Sequence, residues 1–213
     1  AFRFAAKGKA HAPQAPATAF SLAGTGDQTQ ARIERLLLEL LEGSIELSGE
    51  VDWAAEPRWD LRVALAGINP AAQWHEWPGR IGGNLVSRGR VAADGPDAVV
   101  EIGAIEGRLR DYPVKLTAGA QIARSALTVE RLTLRSGSAR IDAAGSLADT
   151  LDLRWSVDAQ DLAQLLPDAA GTLKGEGRVT GPREQPRLVA KLEGSALRFR
   201  DSAVARLALD SDL

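Results

Sequence analysis

The sequence predicts an all-β fold, an antiparallel sheet of about fourteen strands with one short helix in each repeat. Three observations carry this. Most segments alternate apolar and polar residues with period two, and the links between them are short and rich in turn formers. The apolar content is aliphatic, since 45% of the residues are hydrophobic but only 5% aromatic. That is far too apolar for a disordered chain, and the formal net charge of −2 offers no basic face for nucleic acid. Cysteine is absent, which excludes disulfides, thiol nucleophiles and cysteine-ligated metal centres.

Taken in order, strand-like runs cover roughly 2–10, 16–23, 31–42, 44–51 and 59–65. In the last of these Trp59, Leu61, Val63 and Leu65 share one parity, opposite Asp60, Arg62 and Ala64. INPAAQW at 68–74 then reads as a short helix, with Asn69 as its cap and Pro70 in its first turn. Further strands follow at 80–91, 98–106, 112–122, 126–135, 138–147 and 151–157. Leu151, Leu153, Trp155 and Val157 repeat the one-sided pattern there. A second helix signal, QDLAQLL at 160–166, precedes runs at 171–179, 187–193, 195–200 and 204–210. Residues 31–42 (ARIERLLLELLE) are strong helix formers, but their counterpart at 126–135 carries Thr128, Val129 and Thr133 and alternates. Both are therefore read as strands. Asp94-Gly95-Pro96, Gly181-Pro182 and Gly24-Thr25-Gly26 read as turns.

The chain repeats itself. IERLLLE at 33–39 recurs as VERLTLR at 129–135 and as VARLALD at 204–210, and WDLRVAL at 59–65 recurs as LDLRWSV at 151–157. The first two copies are spaced by about 88 to 96 residues. Approximate copies span 33–128 and 129–203, with a truncated third at 204–213. This pattern, with no methionine at position 1, leads us to expect that residues 1–213 are a fragment of a longer repeat array.

Catalytic and metal chemistry find little support. His11 and His75 are the two histidines, and His75 lies between Trp74 and Trp77 as a packing residue. Asp142, Asp149, Asp152, Asp158 and Asp161 could supply paired carboxylates, but they fall on polar strand positions or in turns. No catalytic residue, metal ligand or cofactor is expected, and the chain reads as a non-enzyme. No stretch approaches the roughly 18 apolar residues of a membrane-spanning helix. What remains is the apolar parity itself: Leu61, Val63, Leu65, Leu151, Leu153, Trp155 and Val157, joined from neighbouring strands by Ile81, Leu85, Leu132 and Leu134. A closed sandwich and a long curled sheet both satisfy this pattern.

A family resemblance, carried by the order of these motifs, favours the curled sheet. Gly-Ser-x-x-(Leu/Ile) at 43–47 and 137–141 is followed by a Trp-Asp-Leu strand, the Ile-Asn-Pro or Asp-Leu-Ala helix, a proline and Gly-x-Leu-x-x-x-Gly. From about residue 30 to 213 this resembles the TamB family, the inner-membrane component of the translocation and assembly module within the AsmA-like group of Gram-negative bacteria. The resemblance implies an elongated, curled antiparallel sheet, a β-taco groove with a greasy interior. It implies a periplasmic location, with the parent protein anchored in the inner membrane through parts outside this fragment. Under it the eleven apolar residues would line a path for phospholipid acyl chains between the inner and outer membranes. The alternative it leaves open is a chaperone-like groove for strands of outer-membrane β-barrel proteins, working with a TamA-like barrel protein.

Overall fold

The computed structural model describes residues 1–12 and 15–212. Fourteen strands form one antiparallel sheet in which spatial order is chain order. β1 (Phe2–Ala12), β2 (Ala15–Gly26), β3 (Gln30–Leu40) and β4 (Gly43–Asp52) lead into β5 (Arg58–Ile68). After a 3-10 turn, η1 (Pro70–Ala72), come β6 (Gly79–Ala92), β7 (Gly95–Leu109), β8 (Tyr112–Ala123), β9 (Ala126–Ser136), β10 (Ala139–Leu147) and β11 (Thr150–Ala159). A second such turn, η2 (Leu162–Gln164), precedes β12 (Ala169–Pro182), β13 (Arg187–Phe199) and β14 (Ser202–Asp212). Short connections make every neighbour antiparallel. At 41–42 and 110–111 both turn residues have positive φ (50° and 60°, 49° and 68°), the backbone twist that suits a two-residue hairpin.

The short helix expected in each repeat does not form. Its cap does: Asn69 Oδ1 accepts from Ala71 N at 3.2 Å and Asp161 Oδ1 from Ala163 N at 3.0 Å. Too few residues separate each cap from Pro78 or Pro167 to repay an α-helical nucleus, so each segment closes as a three-residue 3-10 turn. Residues 31–42 are strand β3 followed by the Leu41-Glu42 turn. The runs at 187–193 and 195–200 are one strand, β13, with Ala196 at φ 48° inside it. Gly24-Thr25-Gly26 is no turn but the end of β2. There Gly24 pairs with Phe4 and Ile33, and the Phe4 ring occupies the space a side chain at 24 would need.

The alternation expected in 126–135 is broken as well. Val129 and Leu132, three residues apart, face Gly145 and Ala143 of β10, so Glu130 and Arg131 together oppose Ala144. This is a β-bulge. Ile33 and Leu36 of β3 do the same against Gly49 and Leu47 of β4, and Ile102 and Ile105 of β7 against Leu116 and Ala118 of β8. Each bulge turns a spacing of three into a spacing of two, which returns the next leucine or isoleucine to the face it would otherwise leave.

No second layer covers this sheet. No large side chain is fully buried, and the accessible surface is 13457 Å². A compact protein of 22.6 kDa would expose about 9,500 Å². At about 4.8 Å per strand the sheet extends for roughly 62 Å, whereas a compact chain of this length has a radius of gyration of about 17 Å. Small-angle scattering should therefore return a radius of gyration well above about 17 Å with an asymmetric distance distribution, and the compact value would contradict the open sheet.

Candidate functional site

Pairing register places all eleven residues of the expected apolar set on one face. Directly opposed partners share a face, and one row of them crosses the entire sheet. It runs Ala6, Leu22, Leu36, Leu47, Val63, Leu85 and Ile102. From there it continues through Ala118, Leu132, Ala143, Trp155, Gly177, Ala190 and Ser211. A second row beside it joins Leu65 through Gly83, Ile105 and Leu116 to Leu134, Ile141 and Val157. Leu61 and Leu153 stand on a third row, Ile81 pairs with Ile68, and Leu151 with Leu147. Among the described strand residues this face carries no Asp, Glu, Lys or Arg. Parity within single strands missed Leu36, Leu47, Ile102 and Leu116, because all four lie on a bulge or directly across from one.

Alanine provides an internal control, since its side chain is the same on either side. The alanines that are buried, Ala98, Ala139, Ala159, Ala169 and Ala190, all lie on the apolar face, although Ala6 and Ala10 of its first strand are exposed; on the opposite face Ala64, Ala66, Ala123 and Ala208 are exposed and Ala19, Ala23, Ala104 and Ala144 are half-buried. From β7 to β13 the apolar face is thus the more enclosed one. Its aromatic rings lie along the sheet: Trp59 covers Gly89 and Trp155 covers Gly177, and a side chain at either glycine would collide with the ring.

At one long rim the apolar face is folded over. η2 lies above the ends of β9 and β10, where Ser136 Oγ donates to Gln164 O and the Gln164 side chain accepts from Ser138 N (2.7 Å) and Ala139 N (3.0 Å). Arg110, in the β7–β8 turn, donates to Ala163 O at 2.6 Å and sets its guanidinium 4.8 Å from the Trp77 ring centre. In flat strands the β7–β8 and β11–β12 connections would stand about 19 Å apart. Their contact shows that the sheet curls and that η2 reaches back across it.

The opposite face is charged and wet. Arg32 pairs with Glu50 at 3.3 Å, Arg88 with Asp60 at 2.9 Å, Lys115 with Glu106 at 3.2 Å and Arg178 with Asp152 at 2.8 Å. All are exposed, so each is worth little in stability. A concavity of about 750 Å³ lies on this face among Arg131, Asp142, Arg154, Glu176, Arg178 and Lys191. Both signs of charge line it, and the twist of an open sheet hollows each face along one diagonal. Four of the five carboxylates weighed as a catalytic pair are engaged singly, Asp158 by Gln160. Asp142 is hydrogen-bonded by Arg140 and Thr133, Asp152 by Arg178, and Asp161 caps η2. His75 is exposed in the link between η1 and β6, and the side chain of His11 lies outside the described residues. Among the described residues no three His, Cys, Asp or Glu side chains group as metal ligands, and no helix is long and apolar enough to cross a membrane.

An open, single-layer β-sheet with one continuous apolar face defines a scaffold that presents an extended greasy surface. The chain belongs to the family described as TamB, N-terminal domain, whose profile matches residues 1–213. It is 27% identical over 195 residues to the translocation and assembly module subunit TamB of Haemophilus influenzae, an alignment covering 91% of this chain and 15% of that relative. No solved structure matches the chain.

Hydrogen bonding by Arg178 holds the Asp152 carboxyl below the usual carboxylate range, and Arg140, followed by Thr133, does so for Asp142. Their contribution to stability is full above an unfolded value of about 3.9 and is lost as pH falls through the lower folded values. Thermal melts should therefore drop on acidification below about pH 4, and Asp152→Asn should shrink that drop. Arg110→Ala removes the rim contact and should lower stability by about 1 to 2 kcal/mol in urea unfolding. An unchanged midpoint would show that η2 is held by Gln164 alone.

Proposed function

We propose that the apolar face carries phospholipid acyl chains, with head groups left in water, as one segment of a path between the inner and outer membranes. The observation that supports this most is the uncharged row that crosses fourteen strands without interruption. Each buried methylene is worth about 0.8 kcal/mol, so a chain of about fourteen methylenes favours such a surface over water by roughly 11 kcal/mol. Affinity of this kind is non-directional. It asks for continuity and gives no position a special role, which lets a lipid move along the face.

On this reading the chain is a repeat-built portion of a periplasmic protein anchored elsewhere in the inner membrane. Residues 33–128 and 129–203 act as successive copies of one groove unit, with 204–213 opening a third. The name of the Haemophilus influenzae relative, a translocation and assembly module subunit, suits work beside an outer-membrane barrel protein of the TamA kind. The chain spans 15% of that relative's length, so anchoring and partner contacts are assigned to the remainder.

The eleven apolar residues are proposed as lining, and parity makes that testable. Val63→Asp or Val157→Asp would set a charge among acyl chains at a cost of several kcal/mol and should block lipid passage. Ala64→Asp and Ser156→Asp, on the charged face, should be tolerated. Photo-crosslinking probes at the same four positions should capture lipid at 63 and 157 only. Equal behaviour of both sets would remove the support for a lipid path, and capture of protein at 63 and 157 would favour a chaperone-like groove. His75→Ala should leave function intact.

A further inference from the structure

The two rims of the apolar face are not alike. The connections 69–78 and 160–168, which hold η1 and η2, both lie at the rim where β5, β7, β9 and β11 end. They stay close to the sheet. Asn69 Nδ2 donates to Glu42 Oε2 at 2.6 Å, Arg110 ties Trp77 to Ala163, and the Gln164 amide fills the space a β-carbon at Gly137 would need. Arg110, in the β7–β8 turn, reaches past the β9–β10 turn to make its bond. At the other rim, hydrogen bonds and ion pairs among the described residues join only neighbouring connections, such as Trp53 to Gln28, Arg124 to Asp94 and Arg183 to Asp149. Burial follows this difference. Where the apolar face meets the η rim, Ile68 is 5% exposed, Ser136 6%, and Ala139 and Ala159 1%. Where it meets the other rim, Phe2 is 55% and Val91 45% exposed, and Leu127, Leu147 and Leu151 are half-buried. Phe199, on β13 beyond η2, is exposed again and marks where the cover ends.

We infer that lipids on this face hold their head groups over one rim, that of the turns 93–94, 124–125 and 148–149, and that η1 and η2 shut the opposite rim to them, resting on the lipid-carrying reading above. A phosphate or ammonium group crossing a covered apolar rim would give up water and find no partner to replace it. The backbone of η2 has little to offer. Ala163 O and Gln164 O already accept, and Ala163 N and Gln164 N already donate to Asp161. At the other rim the strand ends stand open to water, so a head group there keeps its hydration while its tails lie on the apolar rows. Every lipid between β5 and β12 is then turned the same way, tails toward the η rim, and the head groups follow one line along the sheet.

The chain has no cysteine, so a single thiol can be placed at either rim. Ala93→Cys and Ser125→Cys mark the open rim, and Ser138→Cys and Gln160→Cys the η rim; all four positions are exposed and lie in connections. Each purified variant is loaded from phosphatidylcholine vesicles that contain a phosphatidylethanolamine with a maleimide on its head group, at about pH 5, where the thiol is protonated and unreactive. Vesicles are then removed and the pH is raised to about 7.5, so that a thiolate within reach adds across the maleimide double bond. Mass spectrometry counts the adducts and, in native mode, the total bound lipid. Scaled by reaction with soluble N-ethylmaleimide, adducts at 93 and 125 should exceed those at 138 and 160 about tenfold. Adding Arg110→Ala and Gln164→Ala, which release η2, should raise adducts at 138 and 160 toward the level at 93 and 125. Comparable adducts at all four positions with η2 in place, or adducts chiefly at 138 and 160, would overturn the inference while the bound lipid keeps the path standing. Adducts that stay confined to 93 and 125 after η2 is released would overturn it too, since another feature would then be shutting the rim. Absence of bound lipid from every variant would overturn the path itself.

Discussion

Everything here depends on side-chain parity in a sheet that has no second layer. Successive residues of a strand point to opposite faces, so a slip of one position exchanges a whole strand's apolar set for its charged set. In a sandwich such a slip would bury charges between the layers. In a single sheet with accessible surface of 13457 Å² each slip would cut the apolar face in two. The register of fourteen strands is held accordingly, by hairpins too short to allow drift and by ion pairs whose value lies in position more than in energy.

Bulges are how the chain reconciles parity with curvature. A sheet that curls must bend its strands, and an extra residue bends a strand while disturbing the alternation. At Ile33–Leu36 and Val129–Leu132 the extra residue belongs to a Glu-Arg pair, so both charged side chains stay in water and the apolar row resumes at leucine. Glycine takes the opposing position where space is shortest. A β-carbon at Gly145, whose φ is 141°, would run into the backbone oxygen of Asp152, and one at Gly49, with φ 146°, into that of Asp60. The same device serves both halves of the chain, which explains why the IERL and VERL motifs are so alike.

The two faces then divide the work. Charged ladders keep their side of the sheet hydrated and unattractive to neighbours, as befits a structure with so much exposed surface. The other side gathers small and flat elements, glycines covered by indole rings and buried alanines, which make it smooth. The rim contact of Arg110 with Trp77 and Ala163 ties the β5–β6, β7–β8 and β11–β12 connections into one edge, so curvature is set by side chains outside the ladder as well as by twist.

The sequence by itself determined the antiparallel class, the strand count and which parity of β5 and β11 is apolar, because each follows from local alternation and turn chemistry. It could not reveal the bulges. A spacing of three between Ile33 and Leu36 is the signature of a helix when read locally, and only the partners Gly49 and Leu47 show it to be a widened step in a strand. For the same reason Ile102 and Leu116 of the apolar row were hidden, and the helix signals at 68–74 and 160–166, locally well capped, yielded to the prolines and strands that confine them. Nor could alternation tell an open sheet from a closed sandwich, since both bury the same residues on the same side. That choice belongs to tertiary structure alone: curl and coverage arise from how fourteen registers add up over about 62 Å, a sum that no single strand contains.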